Sequence, residues 1–334
     1  MPREWTSRDI LELSGAYWPS CVIQTAVILD VFTELHDGWR DEAALAAQLG
    51  CEVRAFAMLT GALAAQGFVE RADGKLRANE AALTYLSQKS PEYLGFIIKH
   101  HASIMPAWTK LEQAVRTGKS TAASRSIDAE DPAAREAFLM GMFNIARLQA
   151  GRIADGLDLS GRERFIDIGG GPGTYAIYFC LKNPKLKATV FDLLSTRPFA
   201  EKTVERFGLS DRIDFREGDF QGSLPSGYDV AWLSQVLHGE TPEGAAALVK
   251  NASKSLVPGG LLCVQEFLMD DDRSGPEHAA FFSLNMLVQT PGGQSYSGKE
   301  IAEMFRHAGA GNIRKVTIEL PQSCGIIIGE MPSA

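Results

Sequence analysis

The sequence predicts an α/β protein, a seven-stranded doubly wound sheet behind a mainly helical N-terminal region, and three observations carry that prediction. From Arg164 onward short β-compatible runs alternate with helical segments; the helical segments open on capping residues; and the first hundred residues show Ala-rich helical periodicity instead. Length and composition agree. The 334 residues leave room for two domains, and 45% hydrophobic with 22% charged residues and 32 Gly excludes a disordered, collagenous or disulfide-scaffold chain. A net charge of -8, from 33 Lys+Arg against 41 Asp+Glu, gives no bulk attraction to nucleic acid or to an anionic membrane. The five cysteines, Cys21, Cys51, Cys180, Cys263 and Cys324, are scattered and form no CxxC, so they read as reduced, buried thiols rather than bridges or a metal site. The start MPREWTSRDI and the lack of any long apolar run predict no signal peptide, no membrane span and a cytoplasmic location.

The elements follow in order. Residues 22 to 35 carry apolar side chains at helical spacing, and DEAALAAQLG and VRAFAMLTGALAAQG are two short amphipathic helices broken near Gly50. FVERADGKLRA places Asp73-Gly74 between two β-compatible runs, a hairpin signal; helix, helix, hairpin predicts a winged-helix unit. Its second helix, Val53 to Gln66, carries one charge, Arg54, which argues for packing or dimerisation rather than DNA binding. Residues 116 to 130 are small and polar and read as a loop. Asp131-Pro132 then caps and opens a long helix to about Ala154. Beyond it stand the strand candidates RFIDI, ATVFD, RIDFRE, YDVAWLS, GLLCVQEF, IRKVTIEL and CGIIIGE. Thr241-Pro242 opens the helix after the fourth, and Ser297 with Glu300 makes a capping box before the sixth.

Chemistry collects at the strand ends. FIDIGGGPGTYA turns from a strand into a helix through Gly169, Gly171 and Gly173, a geometry that brings a ligand to backbone N–H groups at a helix N-terminus. Nicotinamide, flavin and adenosyl cofactors all use such turns. Pro172 and Thr174 fit a dinucleotide fingerprint poorly, whereas DxGxGxG with Asp167 in front resembles the first motif of S-adenosylmethionine (SAM) dependent methyltransferases. Asp192 ends the next strand, where a carboxylate accepts from ribose hydroxyls, and Asp219 with Phe220 follows the third, an acceptor and an aromatic face suited to adenine. The fourth strand leads to His238 and the fifth reaches Glu266, so successive strands bring polar groups to one sheet edge.

Gly169 to Gly173, Asp192, GDF at 218 to 220, His238, Glu266 and TPGG at 290 to 293 together resemble the family of SAM-dependent O-methyltransferases that includes plant caffeate and flavonoid enzymes, hydroxyindole O-methyltransferase and bacterial antibiotic and pigment enzymes. The resemblance covers nearly the whole chain. It implies a winged-helix dimerisation domain over 1–95, a helical linker and substrate lid over 96–155 and a Rossmann-like SAM-binding catalytic domain over 156–334. It further implies a homodimer that converts SAM to S-adenosylhomocysteine (SAH), uses no metal and acts on a small aromatic or conjugated acceptor. His238 falls at the family's general base and Glu266 at the carboxylate that bonds it. Ser234 falls at a cofactor-contacting position, and Phe138, Met142 and Met286 at positions lining the acceptor pocket. Two departures stand out: the HDWxDE usual after the base reads HGETPE, and a second carboxylate after the TPGG turn is Ser295.

Physical chemistry supports a base independently of the family. A phenol of pKa ~10 is ionised about once in a thousand molecules at pH 7, a penalty of about 4 kcal/mol. A neutral imidazole that takes the proton as attack proceeds contributes ~10² to 10⁴ in rate, and a carboxylate on the other ring nitrogen fixes the tautomer. Three readings therefore stand: O-methyl transfer; the same fold methylating carbon or nitrogen, or holding SAM without methylating; and a SAM-sensing regulator that uses the winged helix on DNA. The adjacent His100-His101 point to different sides of a helix and make a poor chelating pair, and Asp270 to Asp272 read as a solvated run. Phe138 and Met142, like Phe282 and Met286, are spaced four apart, as one helix face requires.

Overall fold

Two units, Met1–Ser103 and Ile104–Ala334, divide the chain in the computed structural model, which describes residues 4–123, 126–128 and 131–333. In the first unit α1 (Ser7–Ser14) opens on a reciprocal cap between Thr6 and Asp9. The stretch expected as one helix over 22–35 is two, α2 (Tyr17–Ile28) and α3 (Val31–Glu34). Asp30 breaks it at φ 60°, a left-handed conformation that aspartate tolerates, and its carboxylate accepts from the Thr33 hydroxyl at 2.6 Å. Next come β1 (Arg40–Asp41), α4 (Glu42–Gln48), capped by Asp41, and α5 (Val53–Ala65), capped by Glu52. The hairpin β2 (Val69–Ala72) and β3 (Lys75–Ala78) turns through Asp73 and Gly74, both at positive φ as a tight hairpin turn requires. These strands form a small sheet of order β1-β3-β2. Phe32, Leu45, Phe56, Leu63 and Leu76 bury against one another beneath it. α6 (Glu80–Leu86) starts on Asn79, and α7 (Gly95–Trp108) contains the point of division.

The second unit begins with α8 (Leu111–Thr117), so the loop expected from 116 starts instead at Gly118, the left-handed residue that ends this helix. Ser126–Asp128 makes one 3-10 turn, and positions 124, 125, 129 and 130 of that loop lie outside the described residues. α9 (Pro132–Gly156) starts as its Asp131-Pro132 signal requires, with the Asp131 carboxylate accepting from Ala133 N at 3.0 Å. The sheet alternates with helices thereafter: β4 (Arg164–Ile168), α10 (Thr174–Lys182), β5 (Lys187–Asp192), α11 (Arg197–Arg206), β6 (Ile213–Glu217) and β7 (Tyr228–Ser234). α12 (Pro242–Lys254), β8 (Leu256–Phe267), α13 (Glu277–Gln289), α14 (Gly298–His307), β9 (Gly311–Lys315) and β10 (Cys324–Glu330) complete it.

Seven strands stand in the order β6-β5-β4-β7-β8-β10-β9, with β10 antiparallel to both neighbours and the first five parallel. Adjacent strand residues bury on opposite faces, as a doubly covered sheet demands. Phe165, Trp232 and Cys263 pack with Phe179 of α10, while Ile166, Leu233 and Val264 pack with Leu248 of α12 and Phe305 of α14. The strand expected over IRKVTIEL stops at Lys315; as an edge strand it has β10 alone to hold it, and Gln322 and Ser323, both left-handed, turn the chain back. All five cysteines are free thiols, but Cys21, on α2, and Cys51, in the connection between α4 and α5, are half-buried rather than buried. Among the described residues no helix is long and apolar enough to cross a membrane, and no group of His, Cys, Asp and Glu is placed to hold a metal. The strand order reverses between β4 and β7, and open α/β sheets bind ligands at the carboxyl edge beside such a reversal.

Candidate active site

The glycine turn after β4 is held open from beneath. Gly169, Gly171 and Gly173 have φ of 68°, 53° and 79°, values that L side chains rarely adopt. Gly173 is the N-cap of α10 and has no side chain to offer, so Asp167 caps the helix in its place, with Oδ2 accepting from Ala176 N at 3.2 Å. Burial pushes the Asp167 carboxyl up to about 7, against the lowering effect of that hydrogen bond. Asp192, at the end of β5, joins the same turn. Its carboxylate accepts from Gly171 N at 2.8 Å, Leu193 N at 2.7 Å and the Thr196 hydroxyl at 3.1 Å. Burial raises its pKa while these donors pull it back. The two carboxylates at strand ends thus fix a loop whose free N–H groups lie at the start of α10, an arrangement that fits a cationic nucleoside with vicinal hydroxyls.

The remaining predicted residues are placed unequally. Asp219 is exposed and spends Oδ1 on Gln221 N at 2.8 Å, whereas Phe220 is half-buried and packs toward Gly169, whose built Cβ would come within 3.7 Å of its ring. The Ser234 hydroxyl donates to Gln265 Oε1 at 2.8 Å. Phe138 and Met142 are half-buried on α9, and Met286 is buried on α13. Ser295 is buried with its hydroxyl donating to the Ala279 carbonyl at 2.9 Å, a bond that ties the segment before α14 to α13.

His238 and Glu266 come together closely. Nδ1 of the imidazole lies 2.7 Å from Glu266 Oε2, and His238 N donates to Oε1 at 3.3 Å, so one carboxylate orients both ring and backbone. The side chains are 14% and 2% exposed, which keeps the pair in a poorly screened setting. Phe282 stands edge-on to the imidazole with ring centres 4.7 Å apart, and Phe267 packs on Phe282 at 4.6 Å, making an aromatic wall beside the pair. The TPGG turn closes on this loop. A Cβ on Gly293 would lie 2.2 Å from the His238 carbonyl oxygen, and one on Gly292 would lie 2.6 Å from the Thr241 methyl. The departure HGETPE has a local explanation: Thr241 caps α12, its Oγ1 accepting from Gly244 N at 3.1 Å, while Tyr296 donates to the Glu240 carbonyl at 2.6 Å. Sequence reasoning missed Gln235, which enters the turn before His238 at φ 56°, and Gln265; two polar residues closing the apolar run GLLCVQEF were the available signal for the latter.

Comparison with known proteins decides the family. A family model described as an O-methyltransferase domain matches residues 108–310, more than half of the chain. The chain belongs to the O-methyltransferase family. A 3-hydroxy-5-methyl-1-naphthoate 3-O-methyltransferase of Streptomyces sahachiroi is 33% identical over 96% of this chain and 94% of its own length. Among solved structures, PigF with SAH matches at TM-score 0.90 and 29% identity, covering 98% of this chain and all of that one. Human N-acetylserotonin methyltransferase in complex with SAM matches at TM-score 0.86 and 26% identity, with each chain covered 100%. This O-methyltransferase uses SAM as methyl donor and transfers the methyl group to a hydroxyl of a small molecule.

Proposed function

We propose that this O-methyltransferase acts on the hydroxyl of an aromatic or conjugated bicyclic metabolite of secondary metabolism, with His238 as general base and Glu266 holding its tautomer. The contact of 2.7 Å between His238 Nδ1 and Glu266 Oε2 carries this reading. Nδ1–H donates to the carboxylate, Nε2 keeps its lone pair, and that lone pair takes the phenolic proton as the oxygen attacks. Glu266 then stabilises the imidazolium formed. SAM supplies a methyl group on a sulfonium, an electrophile that needs no metal. Asp192 orients the donor by accepting from its ribose hydroxyls, Asp219 and Phe220 flank its adenine, and Gly169, Gly171, Gly173 and Ser234 line its channel, with Asp167 supporting the turn. Phe138, Met142 and Met286 line the acceptor pocket, and Ser295 closes it by holding two segments together. The Streptomyces sahachiroi relative, named for a hydroxynaphthoate, supports an acceptor of that size.

Our reading of the whole chain is a cytoplasmic homodimer built from a winged-helix dimerisation domain over 1–95, a helical lid over 96–155 and a catalytic domain over 156–334. Exposed apolar side chains of the first unit, among them Leu11, Leu13, Tyr17 and Trp18, support dimerisation. Incubating wild-type and His238→Ala protein with methyl-labelled SAM and a fractionated metabolite extract tests the chemistry. We expect an O-methyl ether from the wild type and a loss of ~10² to 10⁴ in rate for the variant. Equal labelling by both would relegate His238 to structure. A carbon- or nitrogen-linked methyl group in the product would overturn the proposed chemistry.

A further inference from the structure

We infer that three glutamines beside the His238–Glu266 pair form a neutral hydrogen-bonding subsite for a second hydroxyl or carbonyl group on the methyl acceptor. The inference rests on the O-methyl-transfer reading and adds a substrate class to it. Gln265 adjoins Glu266 on β8, so strand alternation sends the two side chains to opposite faces of the sheet edge. Gln235 precedes His238 by three residues in the same turn and is held at φ 56°, a sparsely populated conformation typical of functional sites. Gln149 comes from α9. All three meet at Cys324, the first residue of β10: Gln235 Nε2 is 3.3 Å from its Sγ, and Gln149 and Gln265 lie beside the same thiol. Cys324 pairs with Phe267 across the β8–β10 ladder, Phe267 packs on Phe282, and Phe282 is the ring that stands edge-on to His238. Two aromatic side chains, Phe267 and Phe282, therefore link this cluster to His238.

Each amide is half used. Gln265 Oε1 accepts from Ser234, Gln149 Nε2 donates to the Tyr175 hydroxyl at 3.3 Å, and Gln235 Nε2 faces the thiol. The other halves, Gln265 Nε2, Gln149 Oε1 and Gln235 Oε1, are shielded from solvent without a well-formed hydrogen bond, Gln265 having the Tyr175 hydroxyl and the Cys324 thiol as near but poorly aligned neighbours. Gln265 is 0% and Gln149 4% exposed. Buried amide atoms without partners are costly, and native proteins retain few of them unless a ligand or ordered water completes the set. The free set holds one donor and two acceptors, which match a hydroxyl or a carbonyl. It contains no cation, and burial pushes the Cys324 thiol up to about 12, so the cluster offers a buried carboxylate no compensating charge. An acceptor anchored by its reacting hydroxyl at His238 would thus carry a further phenol or ketone at its distal edge.

Calorimetry with SAH present tests the inference, comparing 1,3-dihydroxynaphthalene with 2-naphthol on wild type, Gln149→Leu and Gln265→Leu. Wild type should prefer the diol by about tenfold or more, and each leucine variant should bring the two affinities within about threefold, with SAH affinity unchanged. Gln149→Leu sits on a helix and guards against a Gln265 variant that fails to fold. A wild type that binds neither probe or shows no preference, or a preference that survives both variants, overturns the inference. So does an SAH affinity that falls about tenfold in the variants, which would assign the cluster to the donor. Binding is read without turnover. A protein that prefers the diol yet methylates no hydroxyl would refute O-methyl transfer and leave the subsite standing; equal affinity with efficient methylation would do the reverse.

Discussion

Asp167 and Asp192 show how a single residue can serve a site while costing stability. Both carboxyls are held in burial above the ordinary carboxylate range, so the folded protein binds protons more tightly than the unfolded chain does. For Asp167 the window runs from the ordinary aspartate value of 3.8 to about 7, and across it stability falls as pH rises, levelling off above the folded value. Asp167→Asn keeps an oxygen for Ala176 N and removes the titration. Its thermal midpoint should exceed that of wild type at pH 8 and converge with it near pH 4, measured by calorimetry across the range; a constant difference would contradict burial as the cause. Asp192→Ala tests the donor side. In the proposed role Asp192 accepts two ribose hydrogen bonds, each worth about 1.5–3 kcal/mol, so SAH affinity by titration calorimetry should drop about a hundredfold or more. Retained affinity would remove Asp192 from the donor site.

At the scale of elements, the TPGG turn couples α13 to the loop that carries His238, the proposed base. Gly293 is needed for approach rather than for φ, because any side chain there meets the His238 carbonyl, a backbone atom that cannot swing aside. Gly293→Ala should therefore lower kcat at least tenfold and destabilise by about 1–3 kcal/mol, with SAH affinity within threefold of wild type. Normal kcat would show that the turn does not position the base. Such elements were legible where a local signal dictates them. Asp131-Pro132, Thr241-Pro242, Ser297 with Glu300 and Asp73-Gly74 each satisfy backbone groups within a few residues, and each stands where the sequence places it. The misses have tertiary causes. Asp30 breaks a periodic apolar run with a left-handed turn, β9 ends early because it has one neighbour, and Gln235, at φ 56°, reaches with its side chain past β8 to Cys324 at the start of β10. No short-range pattern encodes those.

At the scale of the whole molecule, the first unit, Met1–Ser103, presents an apolar surface to solvent. α1 buries none of its residues, although Leu11 and Leu13 lie on it and Tyr17 and Trp18 follow directly. Leu11 is 73% and Trp18 66% exposed, and Tyr17 meets Trp18 edge-on with ring centres 6.2 Å apart, leaving two large rings presented together. A soluble monomer rarely leaves such a patch uncovered. Basic side chains that would turn the neighbouring Val53–Ala65 helix toward nucleic acid are limited to Arg54. The proposed dimer covers this patch with a second copy of the same surface, the isologous contact that closes as a two-fold. Sedimentation should therefore give twice the chain mass for wild type and the chain mass for Leu11→Asp/Trp18→Asp, with the donor site of the variant still binding SAH. A wild type that sediments as a monomer would return this surface to some other partner, and a variant that stays dimeric would place the interface elsewhere on the chain.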